Sequence, residues 1–111
     1  KRFRVIPLNA VATKMLQSHP RHIRSTFVFH NADGLCWKDV RGSLKGALER
    51  ADLPKIRVHD LRHSFVSNLV MAGVDIRTVK ELAGHRDIAT TMRYAHLQPG
   101  TLKASVAALE T

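Results

Sequence analysis

From residue 58 to residue 97 the chain is punctuated too often for a long helix. Asp60 to Ala72 has helical character, and Gly73 stops it. Asp75 caps a short helix with Ile76, Val79, Leu82 and Ala83 turned inward and Gly84 at its end. Ile88 to Tyr94 adds one to two turns. These stops constrain this half to short helical pieces joined by tight corners.

The front half is mixed. Phe3 to Leu8 carries β-type residues in partial alternation with a proline near the end, which predicts an edge or terminal strand. Asn9 is a helix cap for residues 10–18, with Val11, Met15 and Leu16 as the apolar stripe and His19-Pro20 as the stop. Thr26 to Phe29 predicts a short buried strand closed by a turn at Asn31-Ala32-Asp33-Gly34. Trp37, Val40, Leu44, Ala47, Leu48 and Ala51 recur at helical period and predict a helix over 37–51. Leu53-Pro54 is a linker, and Leu102 to Leu109 is a last amphipathic helix after Pro99-Gly100. The fold class expected is α+β, predominantly helical, with a small N-terminal β element.

At 111 residues the chain is one domain or part of one. Its formal charge of +9 points to an acidic partner, with nucleic acid the usual one. The surplus is uneven: residues 1–57 hold twelve Lys/Arg against four Asp/Glu, and residues 58–111 hold six against five. At 5% aromatic the chain lacks the stacking platform of a single-strand binder. Cys36 is the sole cysteine, so an intrachain disulfide is excluded and a reduced cytoplasmic compartment is expected. Apolar runs fall short of the ~20 residues of a membrane span. The opening Lys1-Arg2-Phe3-Arg4 reads as the middle of a longer chain.

Two signatures carry chemistry. The first is His59-Asp60-Leu61-Arg62-His63; the second is Gly84-His85, with Tyr94, the sole tyrosine, nine residues after His85. On a helix at about 100° per residue, His59, Arg62, His63 and Val66 share one face, while Leu61, Phe65, Leu69 and Ala72 form the expected core stripe. Arg62 presents a planar fork of donors suited to phosphate oxygens. An imidazole one turn away bonds another oxygen or moves a proton. A plain surface helix is the competing reading of this segment. Zinc is a weaker one, because His59 and His63 have i, i+4 spacing but no third ligand is evident. Gly84 turns the chain and aims His85, which is otherwise a histidine at the negative end of a helix dipole. Tyr94 lies off the Ile88/Met92 stripe. A phenol with a reference pKa of about 10 becomes a nucleophile where cations favour its ionised form.

His59-x-Leu61-Arg62-His63-Ser64-Phe65, Gly73-x-Asp75-Ile76, Leu82-Ala83-Gly84-His85 and Thr90-Thr91-x-Arg93-Tyr94-Ala95-His96-Leu97 together resemble, in type and spacing, the second and third motif boxes of tyrosine recombinases, the phage-integrase family. Arg4-Val5-Ile6-Pro7-Leu8 resembles the end of that family's upstream β-hairpin. The resemblance implies a multihelical DNA breaking–rejoining catalytic domain that performs site-specific recombination or integration by transesterification, without metal, ATP or another cofactor. It assigns Tyr94 as the nucleophile forming a 3′-phosphotyrosine, Arg62 as the clamp on nonbridging oxygens, His59 as general acid/base and His85 as a phosphate ligand. The partners it implies are double-stranded DNA and further copies of the chain, a homo-tetramer on DNA, with no membrane.

The family also uses an arginine from an earlier box and a hairpin lysine; nothing here matches the arginine, and Lys1 stands too close to the Val-Pro-Leu segment to match the lysine. Residues 1–111 are therefore expected to be a partial catalytic domain, without the upstream arginine box and N-terminal DNA-binding domains, and inactive alone. The resemblance also implies a terminal helix docked on a neighbouring protomer; packing on its own domain is the alternative. In function, the alternative is a catalytically incompetent DNA-binding regulator or remnant of the same fold. A helix-turn-helix module leaves Tyr94 and the histidine spacing unexplained, and supercoil relaxation of the type IB topoisomerase kind is a minor option.

Overall fold

Asn9 opens the first helix as its sequence predicts. The computed structural model describes residues 3–110, and packing divides the chain into two units, residues 1–55 and 56–111. In the first unit, helix α1 runs Ala10–Ser18, and the Asn9 side chain accepts from the Ala12 N–H at 2.8 Å. It ends at His19, whose backbone is extended as the residue before a proline must be.

Neither predicted strand forms. Among the described residues the only β-type pairing is an isolated antiparallel bridge between His30 and Cys36. A strand requires a neighbouring ladder for its backbone groups. Phe3 to Leu8 and Thr26 to Phe29 have none here, and both segments remain solvent-exposed. The turn at Asn31, just after the second segment, does form. The Asn31 carboxamide oxygen accepts from the N–H groups of Asp33 and Leu35, and Gly34 takes the left-handed φ of 78°. Lys1 lies outside the described residues.

Helix α2 runs Arg41–Arg50, four residues shorter at its front than the apolar period suggests. Trp37 is diverted, its indole N–H donating to the His30 carbonyl at 2.9 Å. Asp39 then accepts from the Arg41 N–H at 2.9 Å, which fixes the start. Its end is a Schellman turn: Asp52 has φ 53°, and the Leu53 N–H returns to the Leu48 carbonyl at 3.0 Å.

The second unit holds the rest. Helix α3 spans Val58–Met71. Asp60 accepts from the Arg57 N–H at 2.8 Å and pairs with the Arg57 guanidinium, which lowers the Asp60 pKa. Gly73, at φ 89°, ends α3 by a second Schellman turn, with the Val74 N–H on the Leu69 carbonyl. Asp75 caps α4, Ile76–Ala83, through the Thr78 N–H at 3.0 Å, and Gly84 closes it at φ 74°. Helix α5 is Ile88–Met92, a 3-10 turn follows at Ala95–Leu97, and α6 is Leu102–Ala107.

Helix α4 packs on α3 and α5, and the 3-10 turn packs on α3. The core is Val66 and Val70 of α3 against Val79 and Ala83 of α4, with Leu69, Val74, Ile76, Tyr94 and Leu97 around it. This corrects the stripe expected for α3. Leu61 and Phe65 are about half exposed, whereas Val66 is wholly buried. The face bearing His59, Arg62 and His63 thus runs into the core at Val66. Likewise Ile88 and Met92 of α5 are exposed while Thr91 is buried. The result is a predominantly helical fold, as composition and period imply. No helix among the described residues is long and apolar enough to cross a membrane.

Candidate active site

Three short elements meet around the side chains singled out by the sequence. Helix α3 carries His59, Arg62 and His63. The Gly84 corner carries His85, and the chain just after α5 carries Tyr94. Tyr94 is half-buried and packs on the valine core, which restricts where its hydroxyl can reach. That hydroxyl is hydrogen-bonded to Nδ1 of His63, the residue next to Arg62. The two rings lie 6.0 Å apart. His63 in turn meets the His59 ring edge-on, with centroids 4.5 Å apart. One turn of α3 therefore aligns His59, His63 and the Tyr94 hydroxyl in a row.

His85 is placed from below by its own corner. Gly84 adopts a left-handed conformation that a Cβ would strain, and the His85 N–H bonds the Lys80 carbonyl at 3.2 Å. Its Nδ1 then bonds the Thr91 hydroxyl at 2.7 Å. Thr91 is completely buried, so this contact anchors the imidazole to the floor of the unit. Burial lowers the His85 pKa, and the positive charges of Arg62 and Lys80 lower it further. Two conclusions follow. His85 favours the neutral ring, with Nδ1 occupied and Nε2 left to meet a ligand. Arg62, from α3, lies within electrostatic reach of His85.

All four residues picked from the sequence thus sit in the same unit. Tyr94 touches the helix that carries His59 and Arg62, and Arg62 acts on His85. Sequence reasoning placed Tyr94 off the Ile88/Met92 stripe; that stripe is exposed, and it is Tyr94 that packs against the core, with its polar tip at the site. Three contributors were given no role at the site. His63 stood in the first signature and on the Arg62 face, but metal ligation was the one role weighed for it. Thr91 carries no sequence signal that separates it from Thr90. Lys80 is half-buried near the C-terminal end of α4, where a cation offsets the helix dipole in any helix.

Chemically, the arrangement joins a phenol, two imidazoles at the phenol side, a third imidazole held neutral, and a guanidinium. It suits an anion with several oxygens: Arg62 supplies forked donors and His85 a single donor. The phenol is the one nucleophile in the cluster.

Residues 1–100 match the phage integrase family. The chain is 38% identical to the tyrosine recombinase XerD of Listeria monocytogenes serotype 4b (strain F2365), over 90% of this chain and 38% of that protein. It is 39% identical to XerD of Bifidobacterium longum (strain NCC 2705), over 71% of this chain and 26% of that protein. Against the tyrosine recombinase XerC of Pseudomonas putida (strain ATCC 700007), identity is 35% over 85% of this chain and 34% of that protein. The chain therefore spans less than two-fifths of the length of these relatives. No solved structure matches. On the family match and these relatives, the chain belongs to the phage integrase family.

Proposed function

We propose that these residues form part of the catalytic domain of a site-specific DNA recombinase working through a 3′-phosphotyrosine at Tyr94. The observation that carries this reading is the Tyr94 hydroxyl bonded to His63 of α3, the helix that also bears Arg62, whose charge reaches His85.

On this reading the Tyr94 oxygen attacks the scissile phosphorus and the DNA 5′-oxygen leaves. Arg62 grips the nonbridging oxygens and offsets the charge that builds in the transition state. His85 donates to the same phosphate. His59 acts as general acid/base at the reacting phosphate. The tyrosyl ester retains the energy of the broken bond, so a second 5′-hydroxyl rejoins the strand without ATP. The guanidinium supplies the positive field, and the proposal requires no metal. Double-stranded DNA is the substrate, and the cationic surplus of residues 1–57 supports binding to its phosphates.

The upstream arginine and hairpin lysine of the family have no match among these residues, so residues 1–111 are proposed not to recombine DNA by themselves. Self-association is proposed through α6. None of its residues is buried; Leu102 and Val106 within it and Leu109 just beyond it are 89%, 64% and 82% exposed. A tetramer on DNA would cover that face.

The test uses the full-length protein and a suicide DNA duplex whose cut end diffuses away. A covalent protein–DNA adduct on a denaturing gel, lost in Tyr94→Phe, is the expected result. DNA binding without any adduct would identify a non-catalytic DNA-binding protein instead.

A further inference from the structure

We infer that Thr91 is a positioning residue that fixes the tautomer of His85: its hydroxyl donates to Nδ1 and so holds the ring proton on Nε2. The inference rests on the recombinase reading above for what Nε2 meets; the tautomer itself follows from contacts within the chain.

A neutral imidazole carries its one proton on either nitrogen, and the two forms act oppositely. With the proton on Nε2, that nitrogen donates to an anionic oxygen. With the proton on Nδ1, Nε2 turns a lone pair toward the same oxygen and repels it. The His85–Thr91 bond decides between the two. Its length of 2.7 Å suits either direction, because a hydroxyl both donates and accepts.

The deciding point is where the hydroxyl proton can go. Thr91 is completely buried, so water does not reach it. A hydroxyl inside a helix commonly turns back onto a carbonyl three or four residues earlier. Ser18 does this on the carbonyls of Lys14 and Met15, and Ser105 on that of Thr101. Thr91 does not. Among the described residues its side chain has His85 Nδ1 as its sole hydrogen-bond partner. Were Nδ1 the donor, the hydroxyl proton would be buried without an acceptor, at the full desolvation cost. The hydroxyl therefore donates, Nδ1 accepts, and the ring proton sits on Nε2.

The surroundings keep a second proton off the ring. Burial, and then the charges of Arg62 and Lys80, hold the His85 pKa below the usual histidine value. The backbone is held as well, by the His85 N–H on the Lys80 carbonyl at 3.2 Å. Held at its root and at Nδ1, the ring cannot turn over without breaking the Thr91 bond. On the recombinase reading, Nε2–H then joins the Arg62 fork as a donor to the nonbridging oxygens.

The experiment uses the full-length protein labelled with 15N-histidine, with the His85 signals assigned by their loss in His85→Gln. At neutral pH the unsubstituted protein should show Nδ1 as the bare, pyridine-type nitrogen and Nε2 as the protonated one. Thr91→Ser keeps the hydroxyl and should keep both this pattern and the rate of adduct formation. Thr91→Val keeps the shape without the donor. It should show a mixture of tautomers and, at saturating suicide duplex, a rate lower by roughly tenfold. A proton on Nδ1 in the unsubstituted protein would overturn the inference. So would an unchanged pattern and rate in Thr91→Val, or a loss in Thr91→Ser as large as in Thr91→Val, which would make the methyl group the part that matters. Absence of any adduct from the unsubstituted protein would remove the recombinase reading, while the nitrogen signals would still decide the tautomer.

Discussion

Thr91→Val removes one hydroxyl from a wholly buried side chain and nearly preserves its volume. The hydroxyl's partner is His85 Nδ1 at 2.7 Å, so the substitution deletes the anchor of that imidazole. A net hydrogen bond contributes about 1 kcal/mol, and leaving a buried partner unpaired adds up to about 2 kcal/mol more. His85 is only half-buried and can regain water by turning outward, which holds the cost near 1 kcal/mol. That turn also withdraws Nε2 from the phosphate. Adduct formation should fall roughly tenfold, equivalent to about 1.4 kcal/mol of transition-state stabilisation. The assay is a double-mutant cycle with His85→Ala, read by denaturant unfolding and by adduct rate. The structure predicts a coupling energy of about 1 kcal/mol, with Thr91→Val nearly silent once His85 is gone. Additive effects of the two substitutions in both readouts would refute the reasoning.

Other outcomes follow from the same contacts. Val79→Ala should cost about 2 kcal/mol of unfolding free energy, since it deletes two carbons from a fully buried site and leaves a cavity. Denaturant titration checks this against Thr90→Ala on the exposed side of α5, which should change little. His85 has a folded-state pKa below 6.5, so the unfolded chain binds its proton at higher pH. Its contribution is full above that value and is lost as pH falls through 6.5 toward the folded pKa. The difference in stability between the protein and His85→Gln should therefore shrink on acidification, as unfolding curves at stepped pH would reveal. Replacing Leu102, Val106 and Leu109 by Ser should leave the unfolding midpoint unchanged and weaken self-association on DNA, read by sedimentation of the complexes.

Helix boundaries in the second unit were legible because each carries its own chemistry. Asp75 and Gly84 delimit α4, and Gly73 ends α3, through local bonds that need no tertiary partner. Asn9 and the Asn31 turn belong to the same class. The strands at Phe3–Leu8 and Thr26–Phe29 were misread because β propensity reports a half-buried surface and not a backbone preference. Without neighbouring strands the same residues stay irregular. The α3 core stripe was misread for a related reason. Leu61 and Phe65 are bulkier than Val66, but burial depends on which side α4 approaches, and sequence period cannot choose between two apolar sides. The candidate site residues were picked by spacing; the contacts that join them were not legible that way. The His63–Tyr94 bond links residues thirty-one positions apart, and the Thr91 anchor depends on a fold made by the Gly84 corner.

The most direct measurement is the identity of the residue that holds the cut DNA. The full-length protein is trapped on a suicide duplex labelled at the 5′ end of the cleaved strand, digested with trypsin, and the DNA-linked peptide is sequenced by mass spectrometry. The account predicts a peptide containing Tyr94, joined through its oxygen to the 3′ phosphate and carrying the label. A linkage to any other residue, or through a 5′ phosphate, would contradict it.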